Sequence, residues 1–111
     1  MAHLAYGMEH RWGERVRVNI PVRVSAGRVD GIDGSIKNLS LSGAMMRSDC
    51  ELRLHSLIEV HINLPGPSQR VDIVKAQISR KAENCVGIEW CEFAPAIVKD
   101  LLRSPSVRFP A

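Results

Sequence analysis

The chain has 111 residues, 45% hydrophobic and 24% charged, which suits one compact domain with a real core, is too short for two, and argues against disorder. Aromatic residues make up only 5%, which weakens any reading as a single-strand nucleic-acid binder that stacks several bases on exposed rings. The net charge of +3 permits an anionic partner without demanding one, and no apolar run is long enough for a membrane span or a signal peptide, so the expected location is the cytoplasm.

Residues 1–8 show no periodicity and read as a mobile N-terminal tail. In EHRWGERVRVNIPVRV, Arg11 and Arg15 stand four apart just before a strict alternation, in which Val16, Val18, Ile20, Val22 and Val24 point one way and Arg17, Asn19, Pro21, Arg23 and Ser25 the other. That is a half-buried strand, with Pro21 expected at a sheet edge or bulge because it cannot donate to a ladder. AGRVDGIDG suits a turn and a bent, glycine-containing strand that leads through Ser35 to Leu39.

NLSLSG follows, then a short strand at Ala44 to Arg47, a polar loop, and a clear strand at Leu57 to Leu64. PGPSQ turns the chain back into a long strand from Arg70 to Arg80, with an irregular middle at Ile73 and Val74. A last strand runs from Cys85 to Glu92, and only after Pro95 does the period change, with Ile97, Val98, Leu101 and Leu102 at the spacing of a short amphipathic helix. Residues 104–111 read as a C-terminal tail. Six strands and one terminal helix predict an all-β fold, a small antiparallel barrel capped by that helix.

Chemistry-bearing groups are sparse. Cys50, Cys85 and Cys91 form no C-x-x-C pair; Cys85 and Cys91 fall on one face of one strand, and all three are expected as buried or half-buried thiols. His3, His10, His55 and His61 are scattered and offer no zinc geometry, and His61 reads as a solvated strand residue. Without a nucleophile elbow, P-loop or dinucleotide fingerprint, an enzyme is not expected. Two stretches remain unexplained by a plain barrel: the Arg11 and Arg15 pair, and Asn38, Ser40 and Gly43 in NLSLSG. Strand alternation through NLSLSG would point Asn38 and Ser40 outward together, with Leu39 and Leu41 in the core, and Gly43 would mark a positive φ or a close backbone approach. Guanidinium forks suit the O6 and N7 edge of guanine or a phosphate, and an amide and a hydroxyl suit the guanine N–H edge or a phosphate.

Together and in this order, the R-x-x-x-R of Arg11 to Arg15, the NIPVRV strand and the [D/N]-x-S-x-x-G of Asn38 to Gly43 resemble the signature of PilZ domains. The likeness continues through SGAMMRS, LIEVHINLPG, a long strand, CVGIEW and a terminal helix, covering residues 9–103 as the domain. It implies a six-stranded antiparallel β-barrel that binds cyclic di-GMP and uses no cofactor or metal. By the same resemblance, Arg11 and Arg15 lie on an N-terminal loop that folds over the ligand and would grip guanine and phosphate. Asn38 and Ser40 would read the base edge and phosphate, and Gly43 would hold the strand end. His10 stands where many members carry another arginine, a position linked in the family to binding one ligand or a stacked pair, so it joins the candidate ligand residues. Asn38 stands where many members have aspartate. The resulting expectation is a receptor that signals to a downstream partner protein, as a monomer or weak homodimer, without nucleic acid. The alternatives are an adaptor whose ligand site is unused, and a small basic nucleic-acid-binding barrel.

Overall fold

The computed structural model describes residues 15–64 and 70–103. The two expected tails, His10, Arg11 and the PGPSQ turn lie outside them. The strands are β1 (Val16–Ala26), β2 (Val29–Leu39), β3 (Gly43–Ser48), β4 (Leu57–Asn63), β5 (Val71–Ala82) and β6 (Cys85–Trp90), followed by the helix α1 (Ala96–Arg103). They close into a barrel in the order β1-β2-β3-β6-β5-β4, with β4 returning to β1 and every pairing antiparallel. Closure gives each of the six strands a hydrogen-bonded neighbour on both sides.

Alternation builds the core. Val18, Ile20, Val22 and Val24 of β1 face inward, as do Ile58, Val60 and Ile62 of β4 and Val74, Ala76 and Ile78 of β5. Each buried valine or isoleucine is worth about 1.5–3 kcal/mol, and Ile36, Leu39, Met46 and Ile88 of the other strands complete the same core. The helix adds Ile97, Val98 and Leu101 to the same cluster. Pro95 stands just before it, and its carbonyl accepts the Lys99 N–H at 3.1 Å. Pro21 pairs with Ser35 of β2 but lies just outside the β1–β4 pairing, which runs from Val22 to Ser25, so on the β4 side it stands at the end of the ladder. The AGRVDGIDG turn is tight at Gly27, with a φ of +61°.

Three expectations are corrected. The middle of β5 is regular: Ile73 pairs with His61 and Val74 with Val60, and the irregularity falls instead between Ile78 and Arg80, against β6. Cys91 lies beyond the end of β6 rather than on it, and Cys50 and Cys91 are exposed, leaving only Cys85 half-buried. Gly43 opens β3 instead of closing the strand before it.

Gly43 is required by close approach, not by its φ. It pairs with Glu89 of β6, and a Cβ built on it would lie 2.0 Å from the Ile88 carbonyl oxygen and 3.1 Å from that carbonyl carbon. Both obstacles are backbone, so any side chain must push β3 away from β6. Gly43→Ala is expected to cost more than about 2 kcal/mol, seen as a lower urea midpoint at unchanged slope; an unaltered midpoint would show that β3 and β6 can separate freely here.

Candidate functional site

Asn38 reaches the barrel surface through a fault in β2. Ile32 and Ile36 point into the core, so simple alternation would send Asn38 inward after them. The register with β3 shifts between Ile36 and Asn38, leaving Lys37 as the extra residue. Lys37 and Asn38 are both only half-buried, and Leu39 then falls fully into the core. This is the signature of a β-bulge, which re-aims the side chains beyond it.

Antiparallel pairing brings the other motif to the same place. Val16 lies opposite Leu39 and Arg17 opposite Asn38, so the residue that precedes β1 arrives beside the end of β2. There the Arg15 Nη1 donates to the Asn38 Oδ1 at 2.9 Å, across 23 residues of sequence. Arg15 of the first motif and Asn38 of the second therefore share one face outside the barrel. Arg15 is exposed, and its guanidinium keeps further donors beyond the one engaged by Asn38. Lys37 adds a cation nearby, its Nζ donating to the Asn19 Oδ1 at 3.0 Å. His10 and Arg11 lie outside the described residues.

Ser40 does not face outward with Asn38. Its side chain is completely buried, because β2 ends at Leu39 and strand alternation stops one residue too early to carry it out. The Ser40 backbone N–H donates to the Gly43 carbonyl at 2.9 Å, while its Oγ accepts the Gly43 N–H at 3.2 Å and lies 3.1 Å from the Gly43 carbonyl and 3.2 Å from the Ser42 Oγ. The Ser40 carbonyl accepts the indole N–H of Trp90 at 3.1 Å. The Trp90 backbone N–H donates to Ser42, and that of Ala94 to Leu41. Leu41 is itself only half-buried, its place in the core pattern lost with the strand. Ser40 and Gly43 are thus the two ends of a knotted turn sewn to the end of β6.

Strand alternation alone does not reveal the surroundings of Asn38. Opposite it in β3 stands Met45, then Gly87 in β6, then Arg80 in β5, so one outer row runs Arg17, Asn38, Met45, Gly87, Arg80. A signal was present in the sequence: Arg80 follows Val74, Ala76 and Ile78 at the core phase, as Asn38 follows Ile32 and Ile36, and a polar side chain at that phase demands a bulge.

Other chemistry is not assembled. The described residues contain no group of three or more His, Cys, Asp or Glu side chains that could hold a metal ion. His61 is half-buried, with its Nε2 3.3 Å from the Ser25 Oγ. Arg70 hydrogen-bonds Asp72 and so holds its carboxyl below the usual carboxylate range, but this pair sits at the start of β5, away from Arg80 at its other end. No described helix is long and apolar enough to cross a membrane.

The Ser40 knot has a measurable weight. Ser40→Ala leaves the buried Gly43 N–H without its side-chain acceptor, a cost of about 1–3 kcal/mol in denaturant unfolding. A loss below about 0.5 kcal/mol, the size of an ordinary surface change, would mean that the backbone bonds alone hold the turn.

Comparison with known proteins places this geometry. The family model described as the PilZ domain matches residues 9–104. Among solved structures, the PilZ domain of CeSA from a cellulose-synthesizing bacterium superposes with a TM-score of 0.66 at 20% identity, over 82% of this chain and 100% of that one. A search of curated proteins finds no match. The matched span contains the whole barrel, its helix and both motifs, and the chain belongs to the PilZ domain family.

Proposed function

We propose that this chain is a non-enzymatic, cytoplasmic receptor for cyclic di-GMP, the ligand that its family membership implies. The observation that carries the reading is the hydrogen bond from Arg15 to Asn38, which couples the arginine motif to the N-x-S-x-x-G motif on one outer face. Cyclic di-GMP carries two phosphodiesters and two guanines. Arg15 and Arg11 offer forked donors to a phosphate or to guanine O6 and N7. The Asn38 amide oxygen can accept from the guanine N–H edge while its NH2 donates to a carbonyl or phosphate oxygen.

Ser40 and Gly43 serve the site from beneath. Their knot fixes the chain after Asn38, so the buried Ser40 acts as a positioning residue rather than a direct ligand contact. Binding would fold the segment bearing His10 and Arg11 over the ligand, and the reshaped face would be offered to a downstream protein. His10 in place of an arginine bears on whether one ligand or a stacked pair is held.

The test is isothermal titration with cyclic di-GMP, read for affinity and stoichiometry. A charge-assisted hydrogen bond is worth roughly 1.5–3 kcal/mol, so Arg15→Ala should weaken binding by about tenfold or more. Asn38→Ala should weaken it too, and the double variant should lose less than the sum, because the two side chains act as one unit. Failure of the wild-type chain to bind at tens of micromolar would overturn the proposal, leaving the adaptor with an unused ligand site.

A further inference from the structure

Arg80 is the second residue that a bulge expels from a core phase onto the Asn38 row. Ile78 is buried, Ser79 and Arg80 are both exposed, and the register against β6 shifts between Ile78 and Arg80. The side chain then runs back along the row toward Asn38. It crosses Gly87, where an added Cβ would lie 3.4 Å from the Arg80 Cβ, and its Nη2 comes to 3.5 Å from the Met45 Sδ. Met45 is the direct cross-strand neighbour of Asn38. With strands spaced about 4.8 Å apart, the charged head rests within roughly one or two strand steps of the Asn38 amide.

The partner that holds Arg80 there is weak. A thioether sulfur is a poor acceptor, and among the described residues Arg80 makes no ion pair, whereas Arg23, Arg47 and Arg70 each reach an aspartate and Lys81 reaches Glu51. The guanidinium therefore keeps nearly all its donors available. Beneath it, Gly87 carries no side chain and Met45 is soft and polarizable, which makes a low shelf continuous with the Arg15–Asn38 contact. A ligand anchored at Asn38 and extending across β3 and β6 must pass this guanidinium.

We propose that Arg80 is a third arginine of the ligand site, pairing with a phosphodiester of the part of the ligand that lies over Met45 and Gly87. The proposal rests on the reading of the chain as a cyclic di-GMP receptor. It is tested by calorimetric titration of cyclic di-GMP at low and at physiological salt into the wild type, Arg80→Ala, Arg80→Lys, Arg15→Ala and Lys81→Ala. Direct pairing predicts that Arg80→Ala weakens binding at least about fivefold and flattens its salt dependence, while Arg80→Lys retains that dependence. Lys81→Ala removes the same charge from the next residue and should stay within about twofold.

Equal losses in Arg80→Ala and Lys81→Ala would reduce the effect to net charge and overturn the proposal. So would an Arg80→Ala affinity within about twofold of the wild type while Arg15→Ala fails, a result that leaves the receptor reading standing. Absence of wild-type binding would remove both.

Discussion

A guanidinium or an amide cannot follow its strand into an apolar barrel without a partner, and much of this surface is arranged by that constraint. Leaving one such group buried and unpaired costs several kcal/mol, a large share of the stability of a domain this size. Asn38 and Arg80 both occupy positions whose neighbours two residues earlier, Ile36 and Ile78, are fully enclosed. Each strand resolves the conflict with one extra residue, Lys37 in β2 and Ser79 in β5. Because β3 and β6 lie between them in register, the two expelled side chains land on a single row, and the β1 register also shifts just past Arg17 on that row. The faults that a regular barrel would avoid are thus concentrated where a ligand could use them.

The same end of the barrel is held rigidly from below. Gly43 lets β3 and β6 approach so closely that no side chain fits, and Ser40 ties the preceding turn to Gly43 and, through its carbonyl, to Trp90. Asn38 is followed at once by Leu39, locked in the core, and by the Ser40–Gly43 knot. Its backbone is therefore held in place, and little backbone entropy remains to be lost there on binding. Arg15 differs: it stands before the first strand and is exposed, held on this face by the bond to Asn38. Asn38 is built into the barrel, and Arg15 is joined to it by a hydrogen bond on the outer face.

The architecture was legible because alternation is a local signal. Val18 to Val24, Ile58 to Ile62 and Val74 to Ile78 declare their strands without reference to anything distant, and the change of period after Pro95 declares the helix. The relation of Arg15 to Asn38 was legible only as a motif, since nothing local says that β1 and β2 pair in the register that joins them. Alternation points Ser40 outward because nothing local marks the end of the strand, which depends on hydrogen bonds to Gly43 and Trp90 that lie outside any local window. Arg80 is the opposite case. Its position in phase with Ile78 is a local anomaly, but the anomaly acquires meaning only when Gly87 and Met45 are seen to connect it to Asn38.

Charge decides what an asparagine at position 38 does for such a row. An aspartate there would form an ion pair with Arg15, holding the arginine more firmly but cancelling its charge. The amide accepts the same hydrogen bond and adds no negative charge of its own to offset the guanidinium. Arg15, Lys37 and Arg80 then line or border the row with no acidic residue within it, while the nearest acid along β6, Glu89, pairs with Gly43. Opposite unit charges 4 Å apart attract by about 1 kcal/mol in water and by about 4 kcal/mol at the effective dielectric of a protein surface, so under the proposed reading each cation on the row would count toward holding a dianion. Under the proposed reading, the asparagine gives up part of the hold on a guanine N–H edge that a carboxylate would have, and in return adds no negative charge to repel a phosphate.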